Sequence, residues 1–583
     1  MHIQNRFVIK VSGASGQGIN SVGETISRAI KETGLYSFGY REYPSLIKGG
    51  YACFQVDFSD VPLQSSSHLT DVLLVLSVGA FSAYLSTVAP GGTVIHSVIG
   101  LQLSEAQQQL ITEKEIKVVF VPAQQLVKEA GGHPLMANTF LLGVLWKLLG
   151  LSFEPLVEVL KRIFKKKPEV IEPNIAMLHA GRDFQDAQLH PISLAFSPDQ
   201  SLIDDIIMSG NQAISLGAVA AGVRAYYAYP MTPSSSILSY LAAISHETGM
   251  LVKQIEDEIS VAEMTIGSSF AGTRAMCGTS GGGFDLMSES VSLAAMTETP
   301  FVCVLAQRPG PATGLPTWTN AGDLLLSVFA GHGEYPRAVL AVSDLASAFT
   351  LTQVAHNLAE EYQIPVILLT EKQIAESHFQ IKDLPESIEI KRGLVSQEGL
   401  ASLTKMDRYS STDSGVSPRW LPGQCAPTYD ANSDEHLGDG TLTEDAVPSK
   451  EIFEKRMRKQ EVLAAAFPEP VLFGDEDPEL LLVGWGSVKL AILDGIELYK
   501  KTEGAKKVSY LHYEYMFPLR SERLLSLAQK AQKVVFVENN GTGQLAKLVR
   551  METGYAPHAT YLKNDGRPFF VTEIVAYIAG KDS

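Results

Sequence analysis

Four short segments near the middle of this chain carry residue types suited to binding and transforming a small anion. They are AYPMTPSSSI, QIEDEISVAEMTIGSSFAG, CGTSGGGF and QRPGPATG. Each glycine- or proline-rich loop follows a predicted strand. In a parallel sheet such loops gather at the carboxyl edge, where ligands bind. The segments bring small hydroxyl side chains, a run of acids (Glu256, Asp257, Glu258) and Arg308. The planar fork of Arg308 matches a carboxylate bidentately, so a carboxylate-bearing substrate would suit it. Bland roles compete. Acids at a helix N-terminus can be solvated caps, Thr232 can be an N-cap ahead of SSSILSYLAAI, and Gly281 to Gly283 can serve close packing.

Two other glycine motifs carry less. GASGQG, Gly13 to Gly18, follows a strand and opens a helix, a geometry that favours phosphate. It has no Lys-Ser/Thr after it, so it is not a P-loop, and tight strand–helix packing is the competing role. Gly438-Asp439-Gly440 resembles the motif that holds a magnesium diphosphate. Here it has no buried strand before it and no asparagine between Asn432 and Asn539, so it reads as a turn. The cysteines Cys53, Cys277, Cys303 and Cys425 are scattered, which excludes a C-x2-C metal ladder and a disulfide framework. No metal site is expected on this chain.

The elements that would position these loops follow an α/β pattern. RFVIKVS, DVLLVLSV, GTVIHSV and KVVFVPA read as strands with helices between them, up to about residue 185. HPISLAFSPDQS, within 186–201, reads as a linker. A second α/β region spans 202–390 and holds all four segments above. From 391 to 464 the pattern gives way to a polar stretch rich in Gly, Pro, Ser and Asp, closed by the basic helix EIFEKRMRKQEVLAAA. A third α/β region covers 465–583. No tandem repeat is present.

With 583 residues, 45% hydrophobic and 19% charged, the chain must fold into several ordered domains. Its net charge of −17 argues against nucleic acid and against an anionic membrane surface. No apolar run is long enough to span a bilayer, and the N-terminus lacks the features of a signal peptide, so a cytoplasmic protein is expected.

In this order the motifs bear a specific resemblance to a known family over essentially the whole chain. YPMTPSS, EDEISVAEMTIGSSFAG, TSGGGF, QRPGPATGLPT, RYSSTDSGVSPRWLPG, EKRMRKQE and VENNGTGQL resemble the α subunit of 2-oxoacid:ferredoxin oxidoreductases. GASGQG, IKGGYACFQV and PNIAMLHAG resemble the γ domain, here fused at the N-terminus. The subgroup it resembles most is 2-oxoglutarate:ferredoxin oxidoreductase. Two sites depart from the family form: GASGQG replaces Gly-x-Gly-Gly-Gln-Gly, and Lys48-Gly49-Gly50 replaces Arg-Gly-Gly.

The resemblance implies three α/β domains with mainly parallel sheets: a γ domain (1–185, a candidate coenzyme A clamp), a thiamine-diphosphate pyrimidine-binding domain (202–390) and a transketolase C-terminal-like domain (465–583). It implies thiamine diphosphate shared with a β subunit that carries Mg2+ and a 4Fe-4S cluster. Coenzyme A is the implied co-substrate, ferredoxin the electron acceptor, and αβ or (αβ)2 the assembly. Glu258 is the implied catalytic carboxylate against the aminopyrimidine, because Gly267 lies nine residues after it as in such domains. The helix is then expected to turn Ile259, Ala262, Ile266 and Phe270 to the core. Thr232 and Arg308 are the implied substrate residues; Pro230, Gly281 and Gly282 border the cofactor. Lys48, Gly49 and Gly16 are candidate contacts for coenzyme A or a distal substrate carboxylate, with Arg41, Arg408 and Arg419 as further cations. The basic run Lys161 to Lys167 could meet coenzyme A phosphates, though a solvated helix face fits it better. The rivals are the same reaction on pyruvate, branched-chain or aryl 2-oxoacids, a non-catalytic assembly subunit, and a nucleotide-binding protein using GASGQG.

Overall fold

The computed structural model describes residues 5–44 and 50–581. Its strands, in chain order, begin with β1 (Phe7–Ala14), β2 (Tyr36–Glu42), β3 (Tyr51–Ser59), β4 (Thr70–Val75), β5 (Val88–His96), β6 (Lys117–Phe120) and β7 (Ile206–Ser209). Then come β8 (Ala225–Ala228), β9 (Leu251–Gln254), β10 (Ala275–Thr279), β11 (Phe301–Gln307), β12 (Ala338–Ala341), β13 (Pro365–Glu371) and β14 (His378–Ile381). The last are β15 (Val471–Phe473), β16 (Leu480–Trp485), β17 (Val508–Tyr513), β18 (Tyr515–Phe517), β19 (Lys533–Glu538) and β20 (Ala559–Leu562).

Among the described residues these strands make three sheets. The first runs β6-β5-β4-β1-β3-β2-β14-β7. Its β6, β5, β4 and β1 are parallel, and β3, β2, β14 and β7 extend it antiparallel. The strands at both ends of the second α/β region therefore complete the sheet of the first. The second sheet, β18-β12-β13-β11-β10-β8-β9, is parallel except for β18. The third, β15-β17-β16-β19-β20, is parallel except for β15. The expected α/β class with mainly parallel sheets holds.

The second sheet shows why. AMCGT, FVCVLAQ and PVILLTE are buried at every residue, the continuous apolar run of a parallel strand covered on both faces. Cys277 and Cys303 sit opposite each other in β10 and β11 and are core thiols. The helix Glu258–Phe270 packs through Val261, Ala262, Thr265, Ile266 and Ser269. Ile259, expected in the core, is 52% exposed. The buried stripe is centred on the Glu258 side of the helix, and a residue advances about 100° per step, so Ile259 swings off its edge.

The stretch after β14 is ordered by long-range contacts rather than by regular elements. Arg408, Tyr409 and Trp420 are fully buried within it. Arg408 donates to Gln363 Oε1 at 2.8 Å and to the Glu298 carbonyl at 3.0 Å. Gly438-Asp439-Gly440 is the turn expected of it: Gly440 N donates to Leu437 O, and Asp439 accepts from Thr441 N. The helix Ala446–Ala466 follows and buries Lys455 and Lys459 against Glu298. No helix among the described residues is long and apolar enough to cross a membrane.

Candidate active site

β9, β8, β10 and β11 are neighbours and parallel, so the chain leaves all of them at one edge. That edge gathers the four segments singled out in the sequence. The chain after β8 carries Tyr229, Pro230, Met231 and Thr232, that after β9 the acids, that after β10 Gly281 to Gly283, and that after β11 Arg308.

The structure sorts the acids. Glu256 is exposed. Asp257 is the N-cap of the helix Glu258–Phe270 and accepts from Ser260 N at 2.8 Å. A short carboxylate in extended backbone is suited to that task. Glu258 alone is buried, at 5% exposure. Its carboxylate lies against Gly283: a Cβ there would stand 2.6 Å from Glu258 Oε1 and 2.2 Å from Thr279 Oγ1. Glycine is required at 283 so that this carboxyl group can occupy its place.

Arg308 is partly buried, and Nη1 donates to the Thr232 carbonyl at 3.0 Å. The two candidate substrate residues are thus joined directly. Thr232 is not a helix cap; the next helix, Ser235–Ala243, is preceded by Ser234, whose hydroxyl donates to Met231 O. Gly282 faces Met231 Cε and the Ala312 carbonyl at ordinary contact distances and is exposed, as is Pro230. Gly281 abuts Asp323, whose Oδ2 would stand 2.7 Å from an added Cβ. Burial and the neighbouring Asp285 push the Asp323 carboxyl up to about 7, Arg308 opposing them. Sequence reasoning passed over Asp323, because an acid just before an apolar helix (Leu324–Phe329) reads as a cap. In the fold it makes no capping bond.

Other candidates separate clearly. Arg408 and Arg419 cannot reach a ligand: both are buried, Arg408 on Gln363 and Glu298, Arg419 on the Arg392 carbonyl and near Glu360. Their partners lie far away in sequence. Lys48 and Gly49 lie outside the described residues. Gly16, with φ +89°, lines a cavity of about 600 Å3 at the carboxyl edge of β1, β4, β5 and β6. Gln17, Ser77, Ser97, Gln125 and Asn138 also line it, and among the described residues no charged one does. In the basic run, Lys161 pairs with Glu158 and Arg162 with Glu32, and Lys165 to Lys167 stand on the surface, as a solvated face would.

What the edge lacks is a partner for Glu258. The residue is only 5% exposed, yet among the described residues its carboxylate accepts no hydrogen bond and forms no ion pair. Such a carboxylate keeps its acceptor capacity for a donor from outside this chain, which leaves room for the aminopyrimidine that the family resemblance implies. Residues 216–450 match the family model described as pyruvate flavodoxin/ferredoxin oxidoreductase, thiamine diphosphate-binding, and residues 8–184 match pyruvate ferredoxin/flavodoxin oxidoreductase. The fold and these family models together define a subunit of a thiamine-dependent 2-oxoacid oxidoreductase.

The chain belongs to the α subunits of 2-oxoacid:ferredoxin oxidoreductases. It is 31% identical to the 2-oxoacid:ferredoxin oxidoreductase subunit alpha of Sulfolobus sp, over 97% of this chain and 95% of that one. It is 27% identical to the 2-oxoglutarate oxidoreductase subunit KorA of Mycobacterium tuberculosis, over 93% and 86% of the two chains. A solved 2-oxoglutarate:ferredoxin oxidoreductase from Magnetococcus marinus, with 2-oxoglutarate, coenzyme A and succinyl-CoA bound, superposes with a TM-score of 0.89. It is 30% identical and covers 99% of this chain and 100% of its own.

Proposed function

We propose that this α subunit, with its γ domain fused in front, works on 2-oxoglutarate. With coenzyme A and oxidised ferredoxin it would give succinyl-CoA, carbon dioxide and reduced ferredoxin. The observation that carries the catalytic half of this reading is Glu258, 5% exposed, without a bonded partner among the described residues and wedged against Gly283. The names of the Mycobacterium tuberculosis and Magnetococcus marinus relatives support the substrate.

Thiamine diphosphate, when bound, supplies a nucleophilic carbon and a sink for the electrons released on decarboxylation. Everything else here belongs to this chain. Glu258 holds a proton at the aminopyrimidine N1′, and Gly283 beneath it keeps the carboxyl oriented there. Arg308 takes the carboxylate of the 2-oxoacid, and the Thr232 hydroxyl, which has no partner among the described residues, takes the carbonyl. A charged hydrogen bond of this kind contributes about 1.5–3 kcal/mol. Pro230, Gly281 and Gly282 leave the backbone open to close approach.

The edge is unfinished. Tyr229, Ile259, Leu286 and Leu315, on the segments that carry the site, are 40–53% exposed. Large apolar groups clustered this way mark a surface that another chain covers. We assign that role to a β subunit carrying the diphosphate site, Mg2+ and the 4Fe-4S cluster, in an αβ or (αβ)2 assembly. Ferredoxin is acidic as a class, and the −17 charge of this chain disfavours docking here. The cavity beside Gly16 suits the neutral part of coenzyme A; the distal carboxylate of 2-oxoglutarate is left to Lys48 or Arg41. The units follow as 1–185, 202–390 and 465–583, with 391–464 fastening the second.

The test is reconstitution with the neighbouring β-type subunit and a viologen dye. Dye reduction dependent on coenzyme A should be fastest with 2-oxoglutarate. Faster turnover of pyruvate or 2-oxoisovalerate would move the substrate assignment, and no turnover of any of the three would remove the catalytic one.

A further inference from the structure

Gly281 to Gly283 are bracketed by two carboxyl groups. Glu258 presses on the third glycine and Asp323 on the first. Only Glu258 has a role in the reading above. Asp323 is held in place from several sides. Its backbone N–H donates to Gln307 Oε1 at 2.9 Å, which fixes it beside the strand end that carries Arg308. Its carbonyl accepts from the Ser327 hydroxyl at 2.8 Å. Gln544 accepts from Leu325 N and donates to the Gly322 carbonyl, pinning the same turn from the C-terminal region. The side chain, by contrast, has no bond: Oδ2 is fully buried and unpartnered. A buried acceptor without a partner is costly, and the cost is least when the carboxyl carries a proton.

The charged groups that act on Asp323 are Arg308, from the chain after β11, and Asp285, from the short helix Gly281–Leu286 that begins with the glycines. Gln307 and Gln544 are neutral. Arg308 and Asp323 act on one another: Asp323 supports the charge of Arg308 against the burial that lowers it. Arg308 is therefore contested between Asp323 and any substrate anion.

We propose that Asp323 is a proton-carrying positioning residue. Neutral, it leaves Arg308 free to take the 2-oxoacid carboxylate; ionised, it competes for that cation and repels the substrate. The inference rests on the reading of Arg308 as the substrate-carboxylate residue. Above the pH at which Asp323 ionises, each substrate anion that binds draws one proton from the buffer onto Asp323. By linkage, substrate affinity then falls about tenfold per pH unit while turnover of bound substrate is unaffected.

The test uses the complete enzyme and an oxamate analogue, which keeps a carboxylate beside a carbonyl too unreactive to be attacked. Calorimetry at pH 8.5, in two buffers with different ionisation heats, should show about one proton taken up per analogue bound by the wild type. Asp323→Asn should show none, and its KM for substrate should stay flat from pH 7 to 9, with kcat at saturation unchanged. The wild type should show a KM about ten times higher at pH 8.5 than at 7.5. Equal proton uptake in both proteins overturns the inference, and so does a wild type that takes up none, a result independent of whether the variant assembles. Arg308→Gln separates the two layers. If it leaves analogue affinity unchanged, the reading of Arg308 falls; if it weakens binding while Asp323→Asn leaves proton uptake as it was, only the role of Asp323 falls.

Discussion

The segment after β14 and the helix Ala446–Ala466 converge on one buried carboxylate beside the second sheet, and its removal should be expensive. Glu298 is fully buried and pairs with Lys455 Nζ at 2.5 Å and with Lys459 Nζ, while its carbonyl accepts from Arg408. Glu298→Gln leaves two buried ammonium groups with no counter-charge. Breaking one buried pair from one side typically costs about 3–5 kcal/mol, and two cations here share a single partner, so the upper end applies. That is a large part of the ~5–15 kcal/mol that holds a domain together. Because a chain of several domains does not unfold in one step, the assay is local: the rate of proteolysis between residues 391 and 445 in native buffer. A loss of about 4 kcal/mol in opening free energy corresponds to roughly a thousandfold faster cleavage when opening and closing are fast relative to cleavage. Burial alone would raise the Glu298 carboxyl, but Lys455, Lys459 and Arg408 reverse this and hold it well below the usual carboxylate range. The folded state then binds its proton more weakly than the unfolded state. The stabilisation is complete above the ordinary glutamate value and is lost as pH falls through the lower folded value. Wild-type cleavage should therefore accelerate in acid, and the variant should lack that component. A variant within about 1 kcal/mol of wild type would refute the reasoning.

Other outcomes follow from single contacts. Gly283→Ala places a methyl group 2.6 Å from Glu258 Oε1 and 2.2 Å from Thr279 Oγ1, so the carboxyl must move; dye reduction should fall at least a hundredfold with assembly intact on a sizing column. Glu371, 1% exposed with Oε1 unpartnered, is pushed up to about 7 by burial. The folded state binds that proton more tightly, so stability falls as pH rises from the ordinary glutamate value to about 7, and Glu371→Gln should be more stable than wild type at pH 8 by up to ~3 kcal/mol. The gain should vanish at pH 4, as read by hydrogen exchange of the β13 amides at the two pH values.

The parts of the site that depend on neighbours in sequence were legible before the fold. Strand-loop-helix alternation placed Thr232, the acids, the glycines and Arg308 at one sheet edge, because parallel strands leave no other place for those loops. The parts that depend on distant partners were not. Lys455 and Lys459, in the basic helix that closes the polar stretch, are buried because Glu298 lies across from them, 157 and 161 residues earlier. Arg408 and Arg419, cations that looked available for a substrate, are consumed the same way by Gln363, Glu298 and Glu360. Asp323 shows the converse. Its local sequence offers an ordinary cap, and only the approach of Gly281 and the strand end at Gln307 gives it a different environment.

The central claim is that Glu258 meets the aminopyrimidine, and Glu258→Gln tests it most directly. In the reconstituted enzyme, exchange of the thiamine C2 proton for deuterium can be followed by quenched-flow NMR. The expected result is exchange slowed by several orders of magnitude, with cofactor still bound and the assembly unchanged. Exchange at the wild-type rate in a complex that holds its cofactor would contradict it.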